Sequence, residues 1–259
     1  MKDELRISLI QSNLHWEDPE ANRLSLERTM LSINDTTHLI ILPEMFTTGF
    51  SMNAKNLAEE HEGVTLSWMQ DIADRMNSAI TGSIIVKEKG KYYNRLFFVL
   101  PDGSYDWYDK KHTFTLAGEH KTYTAGKKKL IVEYHGWRIC PLICYDLRFP
   151  VWARNIEDYD LLIYVANWPK KRIAAWDALL RARAIENMSY CVGVNRVGLD
   201  GNDHEYVGHS AVYNVLGDHI SETEFEKEFI DTVTLSKDHI NSTRKHLQFL
   251  NDRDAFNLK

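Results

Sequence analysis

The sequence predicts a layered α/β fold, and three observations carry that prediction. Apolar, β-leaning runs of strand length outnumber helical segments. The helical segments fall early in the chain and between strand runs. No linker, low-complexity stretch or internal repeat divides the chain. One domain over residues 1–259 is expected, with a charged, partly helical tail from about residue 237. Periodicity leaves the strand order open.

Residues 5–10 form a short apolar first strand. Asp18-Pro19 marks a helix start, with Asp as N-cap and Pro at the first helical position, and Leu24, Leu26, Met30, Leu31 and Ile33 give that helix an apolar side. Residues 38–43 are a buried-strand run. Leu66, Met69, Ile72, Ala73 and Met76 recur at three- and four-residue steps and predict a helix over 64–76. Strands over 79–86, 92–100 and 104–108 follow, separated by Lys89-Gly90 and Pro101-Asp102-Gly103 turns. A hairpin over 129–134 and 137–143 turns at His135-Gly136. A short helix over 150–156, a strand over 161–166 and a long helix over 173–188 come next. Strands over 190–194, 211–216 and 228–235 complete the reading.

The bulk composition excludes several classes. The chain has 259 residues, 44% hydrophobic and 26% charged, enough for a substantial core. A net charge of −6 gives no electrostatic reason to expect nucleic acid. No apolar run approaches the ~20 residues that span a bilayer. Met1-Lys-Asp-Glu-Leu-Arg leads directly into a strand and does not read as a signal peptide. Three cysteines, an odd and small set, argue against a disulfide framework and for a reducing, cytoplasmic location. There is no P-loop, dinucleotide fingerprint or serine-hydrolase elbow, and no cofactor is expected. His204 and His209 are five residues apart, one too many for the zinc helix His-Glu-x-x-His, and the glycines around them favour a loop. No metal is expected either.

The candidate chemistry sits at strand ends. Cys144 directly follows the apolar run 137–143, where a thiol can reach a substrate; Cys140 and Cys191 lie in mid-strand and read as packing. Glu44 follows the run ending at Pro43, and Lys110 follows the run ending at Tyr108. A carboxylate, an amine and a thiol so placed would support amide hydrolysis through a thioester. The carboxylate accepts the thiol proton, the thiolate attacks the amide carbon, and the amine with backbone N–H groups stabilises the oxyanion.

Glu44, Lys110 in Tyr108-Asp-Lys-Lys-His-Thr-Phe114, and Cys144 in Cys-Tyr-Asp-Leu-Arg-Phe-Pro150 resemble the Glu-Lys-Cys signature of the nitrilase (carbon–nitrogen hydrolase) superfamily, in order and approximate spacing. The resemblance runs roughly from Ile7 to Leu235. Its flanks, Met45-Phe-Thr-Thr-Gly-Phe50, Tyr164-Val-Ala-Asn-Trp-Pro169, Arg181-Ala-Arg-Ala-Ile-Glu-Asn187 and Asn195-Arg-Val-Gly198, are most similar to omega-amidases acting on 2-oxoglutaramate. The resemblance implies a four-layer α-β-β-α sandwich and a homodimer formed across helices near the active site. It implies Glu119 as a second glutamate positioning the lysine and substrate, Asn94 on the site wall, and the backbone N–H of Tyr145 as an oxyanion donor. Two positions depart from the pattern. Thr113 stands where leucine is common, and Lys111 adds a second amine, so Lys110 is assigned by its spacing to His112 and Phe114.

A substrate with a distal carboxylate needs a cation. Arg172, with Lys170, lies on the loop after a strand tip and is the expected partner, since arginine offers paired donors. Arg148 reads as half of a structural ion pair with Asp146 or Glu186. Trp168 and Phe46 are expected to wall the pocket. The reading is an amidase of a small 2-oxo acid amide. Its rivals are a superfamily hydrolase of a carbamoyl compound or another amide, and a non-catalytic interaction protein on the same scaffold.

Overall fold

Period-two alternation along the strands sets the layers. In the computed structural model, which describes residues 3–222 and 225–256, Leu5, Ile7, Leu9, Leu39, Ile41, Leu96 and Phe98 face one hydrophobic cluster, while their neighbours Ile10, Ile40, Phe97 and Val99 face another. A sheet with both faces apolar must be covered on both. The two N-terminal and three C-terminal residues of the expected domain lie outside the described residues.

In chain order the strands are β1 (Glu4–Gln11), β2 (Leu39–Ile41), β3 (Glu59–Glu60), β4 (Ala79–Glu88), β5 (Lys91–Val99), β6 (Tyr105–Asp109), β7 (Val132–Tyr134), β8 (Trp137–Ile143), β9 (Leu161–Ala166), β10 (Tyr190–Asn195), β11 (Val197–Leu199), β12 (Glu205–Val207), β13 (Ala211–Tyr213) and β14 (Phe229–Ser236). Among the described residues they form one sheet in the order β14-β1-β2-β4-β5-β6, with β3 beside β4, and a second in the order β13-β10-β9-β8-β7. β11 and β12 pair as a small ribbon. The α-helices among the described residues are α1 (Pro19–Leu31), α2 (Ala54–Leu57), α3 (Val64–Met76), α4 (Glu119–Thr122), α5 (Pro150–Ala153), α6 (Ile173–Asn187) and α7 (Lys237–Leu247).

The fold is the expected four-layer sandwich. Leu26 and Met30 of α1 and Leu66, Met69, Ile72 and Ala73 of α3 cover the outer face of the first sheet. Trp176, Leu180 and Ala184 of α6 join the cluster of the second sheet, and the inner faces of the two sheets share that same core. Gly193 lets α6 approach, because a Cβ there would meet Leu180 Cδ1 at 2.4 Å and Trp176 Cζ2 at 2.6 Å. The helix boundaries follow local chemistry. Asp18 caps α1 through Ala21 N (3.0 Å) ahead of Pro19, and α3 ends where Asn77 turns left-handed at φ +48°.

Several boundaries differ from expectation, among them the start of β7 at Val132 where residue 129 was expected. The strand expected over 211–216 stops at Tyr213, because Asn214 Oδ1 accepts from Leu216 N (2.9 Å) and Asp218 N (3.0 Å) and closes a turn. The expected loop around His204 and His209 contains β12, paired to β11. His209 Nδ1 lies 3.0 Å from Asp177 Oδ1, with its ring stacked on Phe225. The helix expected over 150–156 ends at Ala153.

Candidate active site

Strand direction gathers the candidate residues. β2 and β4 run parallel, and two antiparallel steps through β5 return β6 to the same direction; β8 and β9 are parallel in the other sheet. Glu44, Lys110, Cys144 and Asn167 follow β2, β6, β8 and β9, so their positions meet at the carboxyl ends of strands from both sheets. Two of the turns need unusual backbone. Met45 has φ +42° and Cys144 has φ +43°, a left-handed conformation that a non-glycine residue holds only under constraint.

Lys110 lies between two carboxylates. Its Nζ donates to Glu44 Oε1 (2.8 Å) and to both oxygens of Glu119 (3.0 Å each). Glu44 and Glu119 are fully buried and Lys110 is 1% exposed. Every carboxylate oxygen is engaged by donors. Asn94 Nδ2 donates to Glu44 Oε1 (2.8 Å), Asn167 N to Glu44 Oε2 (2.8 Å), and Phe114 N to Glu119 Oε2. The Cys144 thiol, 9% exposed, lies within electrostatic reach of both Glu44 and Lys110. Asn167 holds Glu44 a second way, donating from Nδ2 to its main-chain oxygen (2.6 Å). Gly126 N donates to Lys110 O (2.8 Å), and a Cβ on Gly126 would sit 1.9 Å from Asp109 O.

Burial and charge set the protonation pattern. Burial alone pulls the Lys110 ammonium down, but the Glu119 and Glu44 carboxylates outweigh it, so the group sits above its ordinary value and stays charged. Burial pushes the Glu119 carboxyl up; Lys110 opposes this and Glu44 reinforces it, with a net rise. Burial, then the Glu44 charge, hold the Cys144 thiol well above the usual range despite Lys110. The resting nucleophile is a neutral thiol beside a buried carboxylate, and ionisation must accompany attack.

Cys144, Lys110 and Asn167 face a cavity of about 610 Å³ whose wall includes Phe50, Tyr145, Trp168, Arg148 and Arg172. Arg172 lies over the Phe114 ring (5.0 Å) and Arg148 over the Trp168 ring (4.8 Å). Among the described residues neither has an ion-pair partner. The ion pair expected for Arg148 is absent because both proposed acids are taken: Asp146 by His112, and Glu186 by Arg183 at 2.8 Å. Arg148 belongs to the cavity wall.

Two expected wall residues lie elsewhere. The left-handed turn at Met45 sends Phe46 into the outer core, fully buried against Trp68, with its ring 2.8 Å from where a Cβ on Gly82 would be; Phe50 takes the wall position. Asn94 sits behind the cavity and holds Glu44. Trp168 is at the wall as expected, fixed by Trp168 N to Asn195 Oδ1 (2.8 Å) and Trp168 Nε1 to Arg172 O (2.8 Å). Asn167 was not singled out from the sequence, although it ends a fully apolar strand just as Cys144 does.

A sandwich of two sheets with glutamate, lysine and cysteine at converging strand ends defines a carbon–nitrogen hydrolase, and the chain belongs to that family, which it matches over residues 6–245. It is an enzyme of that hydrolase class. It is 43% identical over 254 residues to the omega-amidase YafV of Escherichia coli K12, covering 98% of each chain. It is 32% identical over 216 residues to the 2-oxoglutaramate amidase of Bacillus subtilis, covering 82% of this chain and 83% of that one. A CN-hydrolase superfamily protein from Xanthomonas campestris, solved with an arsenic adduct in its active site, superposes with a TM-score of 0.96 at 43% identity across 99% of both chains.

Proposed function

We propose that this enzyme hydrolyses the terminal amide of a small 2-oxo dicarboxylic acid monoamide of the 2-oxoglutaramate kind. The observation that carries the reading is one cavity that holds a thiol beside a buried lysine–carboxylate pair and two arginines with no carboxylate partner among the described residues. The relatives named omega-amidase and 2-oxoglutaramate amidase support it.

Glu44 takes the thiol proton as Cys144 Sγ bonds to the amide carbon and the carbonyl electron pair moves onto oxygen. The oxyanion is met by Lys110 Nζ and by the N–H of Tyr145, the second residue of the 3₁₀ turn Cys144–Arg148. Collapse expels the amine with the proton from Glu44, giving ammonia and a thioester. Glu44 then takes a proton from water as its oxygen attacks the thioester carbon, and returns that proton to sulfur as the acid departs. Glu119 keeps Lys110 charged and aimed, and Asn94 does the same for Glu44. Trp168 shapes the pocket, and Arg172 with Arg148 takes the distal carboxylate. The chemistry uses no cofactor or metal in this reading.

We further propose a cytoplasmic homodimer built on one domain. Three free cysteines fit a reducing location, and among the described residues no helix is long and apolar enough to cross a membrane. Ile185 of α6 and Leu216 are half exposed, and Gly217 brings the Leu216 turn against Ile185, leaving an apolar edge beside α6.

The test is ammonia release from 2-oxoglutaramate, with Cys144→Ala as the blank. Release by the wild type alone is expected, with the variant melting within a few degrees of it. Full activity in Cys144→Ala removes the nucleophile assignment. No release by folded wild type moves the substrate to another amide or a carbamoyl compound.

A further inference from the structure

Asp146 lies two residues past the nucleophile and has no part in the chemistry above. It is fully buried and accepts four hydrogen bonds. Its Oδ1 takes His112 N (2.9 Å) and His112 Nδ1 (2.8 Å); its Oδ2 takes the Tyr108 hydroxyl (2.8 Å) and Ile143 N (3.1 Å). The Tyr108 hydroxyl in turn accepts from Lys111 N (3.1 Å) and Trp152 Nε1 (3.0 Å). The residues two before and two after Lys110, and the residue before Cys144, therefore converge on one carboxylate. That carboxylate crosses the seam between the sheets, since Lys110 leaves β6 of the first and Cys144 leaves β8 of the second.

From this we infer that Asp146, with Tyr108 and His112, is a positioning device that fixes the separation of the Lys110 ammonium from the Cys144 thiol. Lys110 itself contacts Glu44 and Glu119, which follow strands of the first sheet, so these two bonds do not set its distance from the Cys144 segment directly. Cys144 also needs outside restraint, because φ +43° is unfavourable for its backbone. The Ile143 N–H to Asp146 Oδ2 bond closes the turn around it. The His112 ring lies flat on Phe149 (3.7 Å between centroids, 4° between planes), so the histidine that bonds Asp146 is itself held by the segment following the thiol. Hydrogen bonds to a charged acceptor are the strong class, and four of them on one buried group make a rigid joint. Misplacing a reacting group by about 1 Å costs on the order of 100-fold in rate.

The inference rests on the assignment of Lys110 and Cys144 above, and its test is chosen to fail separately from it. Both Asp146 oxygens face donors, so Asp146→Asn must turn an NH₂ toward an N–H or O–H; Tyr108→Phe removes one donor and leaves the carboxylate. Each variant is titrated for reactive Cys144 with iodoacetamide, and kcat is expressed per titrated thiol. Expected for Tyr108→Phe is a kcat about 10-fold lower, and for Asp146→Asn about 100-fold lower, with KM within about 3-fold and a parallel fall in the alkylation rate. A purely structural role would lower the melting temperature and the fraction of titratable enzyme while leaving kcat per thiol and the alkylation rate unchanged. That result in Tyr108→Phe overturns the inference even if Asp146→Asn fails to fold. The assignment of Cys144 stands or falls on Cys144→Ala alone.

Discussion

Replacing Arg172 and Arg148 by alanine, singly and together, tests the reading of the substrate. Each guanidinium rests over one aromatic ring and has no carboxylate partner among the described residues. A cation–π contact at a partly exposed site is worth about 0.5–1 kcal/mol. A hydrogen bond to a charged group is worth about 1.5–3 kcal/mol. An entering carboxylate therefore outcompetes the ring, with a surplus of about 1–2 kcal/mol per arginine, or about 5- to 30-fold in kcat/KM. The assay compares 2-oxoglutaramate with a neutral amide of similar length. Each single variant should lose about 5- to 30-fold on the acid and less than about 3-fold on the neutral amide, mostly through KM. The double variant should show coupling, because both arginines address one carboxylate. Equal losses on both substrates refute the argument. A loss confined to Arg148→Ala would move the contact wholly to the residue that the sequence had placed in an ion pair.

Glu119→Gln should lower kcat about 10- to 100-fold with folding retained, because both oxygens of Glu119 face donors and an amide must turn NH₂ against Lys110 Nζ or Phe114 N; unchanged kcat would remove Glu119 from the positioning of Lys110. Gly126→Ala should destabilise by more than about 3 kcal/mol or prevent folding, because its Cβ would sit 1.9 Å from the Asp109 carbonyl; a urea midpoint like wild type would contradict that packing. Stability should fall as pH rises past the ordinary thiol value, about 8.5. Burial holds Cys140, Cys144 and Cys191 high, and Tyr108, Tyr159 and Tyr164 likewise. Below the unfolded values both states hold these protons; above them only the unfolded chain releases them, so the stability they confer is lost on the alkaline side. The urea midpoint should drop between pH 8 and 10.5, and a flat midpoint would refute the burial of these groups.

The elements were legible because they are local. Apolar alternation, Asp18-Pro19 and the turn dipeptides act within a few residues, and most observed strands and helices fall within two residues of their expected ends. Those that were missed, β3, β11, β12, α2 and α4, are two to four residues long, and the three strands exist only through their partners. Glu44, Lys110 and Cys144 were legible for a related reason. Each is marked by its place next to a strand end, which the chain displays without knowledge of what lies opposite.

By itself the sequence determined the layered class, the order of elements and three chemical groups at strand tips. The tertiary structure decided which side chains meet. Phe46 and Asn94 left the cavity wall, one through a left-handed turn at Met45 and the other because Glu44 recruited it as a donor. Arg148 joined the wall because its expected partners were already paired. Asp146 became a joint between sheets, and Asn167 took hold of Glu44 across 123 positions of chain. Such contacts depend on how two sheets close on each other, and no local periodicity encodes which polar group will find which partner across that seam.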